Sequence, residues 1–184
     1  CVFTVTVNDG EAPVLNCATL TTINYTTDAP NCNNDTDVSI PVAVDNCNGN
    51  INGVGTRSDN ASLNSPWPLG TTTITWTFTD AANNVKTCTQ NVVVADNDAP
   101  TFSCPSNITV NTNNSANCEV TVPDVLTGII DEADNCSAVT MTQSPLSGTA
   151  QTGISDGGTF TITVTATDGA TPANSSSCTV TVTV

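Results

Sequence analysis

Carboxylates recur in this chain at matched places. Asp9 and Glu11 lie in Asp9-Gly10-Glu11-Ala12-Pro13, and Asp96 and Asp98 lie in Asp96-Asn97-Asp98-Ala99-Pro100. Asp45 opens Asp45-Asn46-Cys47, Asp134 opens Asp134-Asn135-Cys136, and Asp80 and Asp168 each end a threonine-rich run. Oxygen donors grouped in this way suit calcium, which takes roughly six to eight ligands from carboxylates and carbonyls and binds extracellular modules at about 10⁻⁴ to 10⁻³ M. The same residue types also hold turns, because Asp and Asn side chains bond their own backbone. Both uses stay open on sequence alone, with calcium the candidate ion at Asp9, Glu11, Asp45, Asp80, Asp96, Asp98, Asp134 and Asp168.

The second chemistry is that of sulfur. Nine cysteines at recurring spacings, with no histidine and no C-x-x-C, point to a disulfide framework rather than a zinc site. Disulfides persist in oxidising surroundings, so an extracellular or cell-surface location is expected. Catalysis has little to stand on. There is no histidine for base work, and the acidic residues fall in turns instead of converging from strands on a cleft. Lys86 as an isopeptide donor has no second copy. Sequons at Asn24, Asn60 and Asn107 are expected by chance in a chain this rich in Asn and Thr.

Charge narrows the partners. Against 17 acidic side chains stand only Arg57 and Lys86, a net charge of −15. Nucleic acid and anionic membranes both require clustered Lys and Arg, and neither is an expected partner. No run of about 18 apolar residues offers a membrane span. With no start methionine and no signal peptide, the sequence reads as a piece of a longer exported precursor.

The elements that must position these residues are strands. Phe3 to Val7, Thr71 to Phe78, Thr159 to Thr167 and Thr179 to Val184 alternate threonine with apolar residues, the period of a strand with one wet and one buried face. No segment shows a 3.6-residue period, so almost no helix is expected. Trp76 shares a face with Ile74 and Phe78 and should pack in a core; Trp67, between Pro66 and Pro68, is the better placed of the two for exposure, but packing over the end of the sandwich is expected of it before ligand binding.

The cysteines make an internal repeat explicit. Cys104 follows Cys17 by 87 residues, Cys118 follows Cys32 by 86, Cys136 follows Cys47 by 89 and Cys178 follows Cys88 by 90. The expected division is residues 8–95 and 96–184 as two repeats, with residues 1–7 the last strand of a preceding one. Each repeat should hold a first strand (Thr19 to Thr26; Ile108 to Thr112) and a second (Asp37 to Val42; Cys118 to Val122). A third (Ile51 to Gly55; Ala138 to Thr142) and a weak fourth (Ala61 to Asn64; Gly148 to Thr152) precede the threonine-rich and closing strands. The fold class is therefore all-β, in tandem immunoglobulin-like β-sandwich modules.

An ordered set of marks occurs twice: the joint ending in Ala-Pro, the early Cys17 or Cys104-Pro105, the Asp-Asn-Cys triplet, Gly70 to Asp80 or Gly158 to Asp168, and the strand opened by Cys88 or Cys178. Together they resemble the hyalin repeat over almost the whole chain, although Asn16-Cys17-Ala18 departs from the usual Cys-Pro. The resemblance implies an immunoglobulin-like fold in extracellular adhesive proteins built as tandem arrays. The Thr- and Asn-rich, Lys-poor composition looks most like the repeats of very large surface adhesins of gliding Bacteroidetes. The joints are locally similar to the calcium-binding linkers of cadherins.

On this basis the expected role is a non-catalytic stalk or filament segment of a secreted cell-surface adhesin. Its partners would be neighbouring repeats of the same chain, with surface glycans or other adhesin chains as the alternative. Four cysteines per repeat allow three connectivities. The expected one joins Cys17 to Cys32 and Cys104 to Cys118, first strand to second, and Cys47 to Cys88 and Cys136 to Cys178, mid-domain loop to last strand. Cys1 is left over, its partner expected upstream.

Overall fold

The computed structural model describes residues 1–112 and 118–184. The chain divides into two compact units, Cys1–Ala95 and Asp96–Val184.

In the first unit the strands are β1 (Ile23–Thr26), β2 (Asn33–Asn34), β3 (Val42–Asp45), β4 (Gly49–Asn52), β5 (Val54–Arg57), β6 (Trp67–Pro68), β7 (Gly70–Thr79) and β8 (Val85–Ala95). One sheet runs in the order β1-β8-β7-β5, and the pairs β3-β4 and β2-β6 supply the rest of the unit. The only helical turn among the described residues is a 3₁₀ turn at Cys17–Thr19, capped by Asn16, whose side chain accepts from the Ala18 N–H. On β7 the residues Thr72, Ile74, Trp76 and Phe78 are buried in period two, and Val92 and Val94 of β8 join them. Ala43 and Trp67, from the small pairs, pack onto the same cluster and complete a sandwich of immunoglobulin-like type.

Trp67 is therefore core, 1% exposed, rather than a surface ring. Its indole N–H donates to the Thr36 carbonyl at 3.0 Å, and the Arg57 guanidinium stacks on its face at 3.9 Å. The stretch Ala61 to Asn64 forms no strand. It is a loop wrapped round Arg57, which donates to the carbonyls of Ser62, Ser65 and Pro66.

The second unit repeats the plan with β9 (Ile108–Thr109), β10 (Val120–Thr121), β11 (Thr140–Ser144), β12 (Ala150–Gln151), β13 (Thr159–Thr167) and β14 (Ser175–Thr183). Its main sheet runs β11-β13-β14-β9, with β10 paired to β12. Ile162, Val164, Val180 and Val182 form the core with Val122 and Val125. Volumes compensate between the units. Trp76 faces Gly55 across the ladder in the first, and the matching positions in the second hold Val164 and Gln143.

Residues 1–7, read from sequence as a closing strand, form no strand here, and Val2, Phe3, Val5 and Val7 are exposed.

The disulfides differ from the expected set. Cys17 bonds Cys88, with Cα atoms 5.3 Å apart, and Cys104 bonds Cys178 at 6.0 Å. The pairings Cys17 with Cys32, Cys104 with Cys118, Cys47 with Cys88 and Cys136 with Cys178 do not form, and Cys47 and Cys118 are exposed thiols, as is Cys1. The cause is a parallel ladder. β1 runs beside β8 with Ile23 opposite Val92, and β9 runs beside β14 with Ile108 opposite Val182. The chain just before the first strand thus lies against the start of the last strand, not against the second.

Candidate cation sites

Three segments meet at one end of each sandwich. In the first unit Val14 and Val44 exchange backbone hydrogen bonds of 2.8 and 3.0 Å, which lays the Asp9 to Pro13 segment beside Asp45 at the end of β3. In the second, Thr101 and Ala133 make the same bridge at 2.8 and 2.9 Å, laying Asp96 to Pro100 beside Asp134. The third segment is the turn after the threonine-rich strand, β7 or β13, which opens with Asp80 or Asp168.

The result is two triads, Asp9, Asp45, Asp80 and Asp96, Asp134, Asp168, in each of which one carboxylate oxygen from every residue lies within 4.8 Å of the others. Asp45, Asp80, Asp96 and Asp168 are buried, and Asp9 and Asp134 are half-buried. Each triad is assembled wholly within its own unit.

In four of these carboxylates the turn is held by one oxygen alone. Oδ1 of Asp9 accepts the Glu11 N–H, and Oδ1 of Asp96 accepts that of Asp98. Oδ1 of Asp45 accepts the N–H groups of Cys47 and Asn48 at 3.0 and 2.7 Å, and Oδ1 of Asp134 those of Cys136 and Ser137, both at 2.9 Å. The Oδ2 atoms of Asp9, Asp45, Asp96 and Asp134 are shielded from solvent and accept nothing. Buried polar atoms are normally satisfied, so four such oxygens at equivalent positions point to a missing partner.

Glu11 and Asp98, expected among the ligands, stand outside the triads. Glu11 accepts from the Asn46 amide, and Asp98 accepts from the Asn135 amide at 3.0 Å. They brace the asparagine of the Asp-Asn-Cys turn that carries Asp45 or Asp134.

Asn84 and Asn174 went unnoticed in the sequence. Asn84 donates its backbone N–H to Asp80 Oδ1 and its amide to Oδ2, at 2.7 and 2.8 Å. Asn174 holds Asp168 at the same two distances. The same amides reach the carbonyl oxygens of Asp9 and Asp96, at 3.4 and 3.2 Å. The signal was present as an Asn closing each turn, but the turns differ in length by two residues, four from Asp80 to Asn84 and six from Asp168 to Asn174.

Electrostatics favour a cation. Two unit charges about 4.8 Å apart repel by about 3.5 kcal/mol at an effective dielectric of about 20, more than one turn hydrogen bond returns. Burial, then the charges of Asp134, Asp168 and Asp98, push the Asp96 carboxyl above the usual carboxylate range against the pull of the Asp98 N–H. Burial pushes Asp168 upward too, but the Asn174 side chain and backbone N–H outweigh it and hold the group below that range. All the donors are hard oxygens and no thiol belongs to either triad. That set fits calcium better than zinc or copper.

No family model matches the chain. It is similar to hyalin. Over 114 residues it is 33% identical to hyalin of Strongylocentrotus purpuratus, a stretch that covers 59% of this chain and 9% of that protein. The chain therefore spans about a tenth of the length of the curated relative it matches. Among solved structures it aligns with human protocadherin-24 EC1-2 at 14% identity and a TM-score of 0.39, covering 95% of this chain and 98% of that one. With mouse cadherin-23 EC22-24 the identity is 15% and the TM-score 0.34, covering 89% and 62%.

Proposed function

We propose that this chain is a non-catalytic structural segment of a large extracellular adhesive protein, a run of sandwich modules in which bound calcium holds the incoming segment of each module against its sandwich. The observation that carries it is the pair of equivalent triads, in each of which two aspartates keep a buried carboxylate oxygen that accepts no hydrogen bond. The similarity to hyalin supports an adhesive, cell-surface setting, and the Thr-rich, Lys-poor repeats support a stalk in an attachment or gliding adhesin. Residues 1–7, exposed and alternating, belong in this proposal to a further module as its closing strand. A stalk needs no ligand pocket, only modules that stay folded. Direct glycan recognition through an aromatic platform is not supported, because Trp67 and Trp76 are both buried.

The test is calorimetric. Two equivalents of calcium should bind in the range of about 10⁻⁴ to 10⁻³ M and raise the melting temperature. Asp45→Asn and Asp134→Asn should each abolish one equivalent. A melting curve unchanged between millimolar calcium and chelator would overturn the calcium assignment. Specific micromolar binding to a glycan array would overturn the stalk role.

A further inference from the structure

Two exposed thiols, Cys47 and Cys118, occupy positions whose repeat counterparts are bonded. Cys47 matches Cys136, and Cys118 matches Cys32. Cys32 and Cys136 are disulfide cysteines, whereas Cys47 and Cys118 are free. The other two positions close on each other inside each unit, as Cys17–Cys88 and Cys104–Cys178. Because Cys47 and Cys118 are free, the remaining two positions do not close on each other inside either unit.

The local geometry of Cys47 is that of its bonded counterpart. The Cys47 N–H donates to Asp45 Oδ1 at 3.0 Å, and the Cys136 N–H donates to Asp134 Oδ1 at 2.9 Å. One turn presents a bonded sulfur in one repeat and a thiol in the other.

We propose that Cys47 and Cys118 are half-cystines of inter-module disulfides, each bonded to a cysteine of a further module of the same repeat type. Cys47 takes a partner at the position of Cys32 and Cys118, and Cys118 takes one at the position of Cys47 and Cys136. This rests on the tandem-array proposal above. In forming each bond the two S–H bonds break and one S–S bond forms. The two protons and two electrons pass to the disulfide of an extracytoplasmic thiol oxidoreductase, whose S–S bond breaks as it becomes a dithiol. Such bonds would tie the turn carrying the Asp45 ligand to a second module, coupling the covalent array to the cation site.

The experiment is disulfide mapping of the protein isolated from its natural source without reductant. Free thiols are first blocked with iodoacetamide, and the protein is then cut by a protease specific for aspartate. Peptides containing Cys47 and Cys118 are expected linked to peptides from outside residues 1–184, and unmodified by the reagent. In the 184-residue chain alone the same two thiols should alkylate stoichiometrically. Recovery from the natural protein as alkylated thiols, as a Cys47–Cys118 pair or as glutathione adducts would overturn the proposal. Absence of any further module of this repeat type in that protein would instead overturn the array proposal on which it rests.

Discussion

Asn84 holds Asp80 by both carboxylate oxygens, one through the backbone N–H at 2.7 Å and one through the side-chain amide at 2.8 Å. The same asparagine reaches the Asp9 carbonyl, so one side chain fixes two of the three segments that meet at the first triad. Removing it leaves the three carboxylates in place but frees the orientation of Asp80. Asn84→Ala is expected to weaken calcium binding in the first unit about 10- to 100-fold, in line with the loss of groups that orient metal ligands. Binding in the second unit, held by Asn174, should not change. Titration of the single variant by calorimetry distinguishes the two sites, and equal weakening of both would contradict their assembly within separate units.

The internal disulfides close long loops. Cys17 and Cys88 are 71 residues apart and Cys104 and Cys178 are 74 apart. In the chain-entropy account, closing a loop of that size contributes about 4 kcal/mol. Cys17→Ser with Cys88→Ser should lower the stability of the first unit by about that amount in urea titrations, with a smaller effect expected from Cys47→Ser in the 184-residue chain. Equal losses from the two changes would refute the bonding pattern described here.

Arg57 is fully buried and its charge is answered by Asp59, at 2.5 Å from Nη2 and 3.0 Å from Nε. The Arg57 hydrogen bond holds the Asp59 carboxyl below its ordinary value of 3.8. A depressed carboxyl contributes stability above the unfolded pKa and loses it as pH falls through the folded pKa. Asp59→Asn is therefore expected to cost about 1 to 3 kcal/mol at pH 7. The gap between variant and wild type should begin to close as the pH falls below 3.8 and vanish once it has passed the lower folded-state value, where wild-type Asp59 is also neutral. Denaturant midpoints at a series of pH values measure it; a gap that widens in acid would show the sign to be wrong.

Gly55 makes room for Trp76. A Cβ there would stand 2.8 Å from the indole ring and 3.0 Å from Leu63, in a core with no slack. Gly55→Ala should destabilise the first unit by about 1 to 3 kcal/mol, lowering its melting temperature by about 4 to 8 °C for each kcal/mol. Trp76→Leu in the Gly55→Ala background should recover part of the loss. Additive losses in the double variant would argue against the steric account.

Period-two alternation from Thr71 to Phe78 and from Thr159 to Thr167 was enough to place strands and their buried faces, because side-chain direction in a strand follows from local geometry alone. The acidic positions of both triads were legible for a related reason: they recur in register with the cysteines, at the ends of those strands. What sequence could not decide is which distant segments become neighbours. β1 pairs in parallel with β8 rather than with β2, a non-local choice made by packing, and it determines that Cys17 meets Cys88 and not Cys32. Nor could sequence assign the two oxygens of one aspartate. Only the folded turn gives Oδ1 of Asp45 to the backbone of Cys47 and Asn48, and leaves Oδ2 shielded from solvent with no hydrogen to accept.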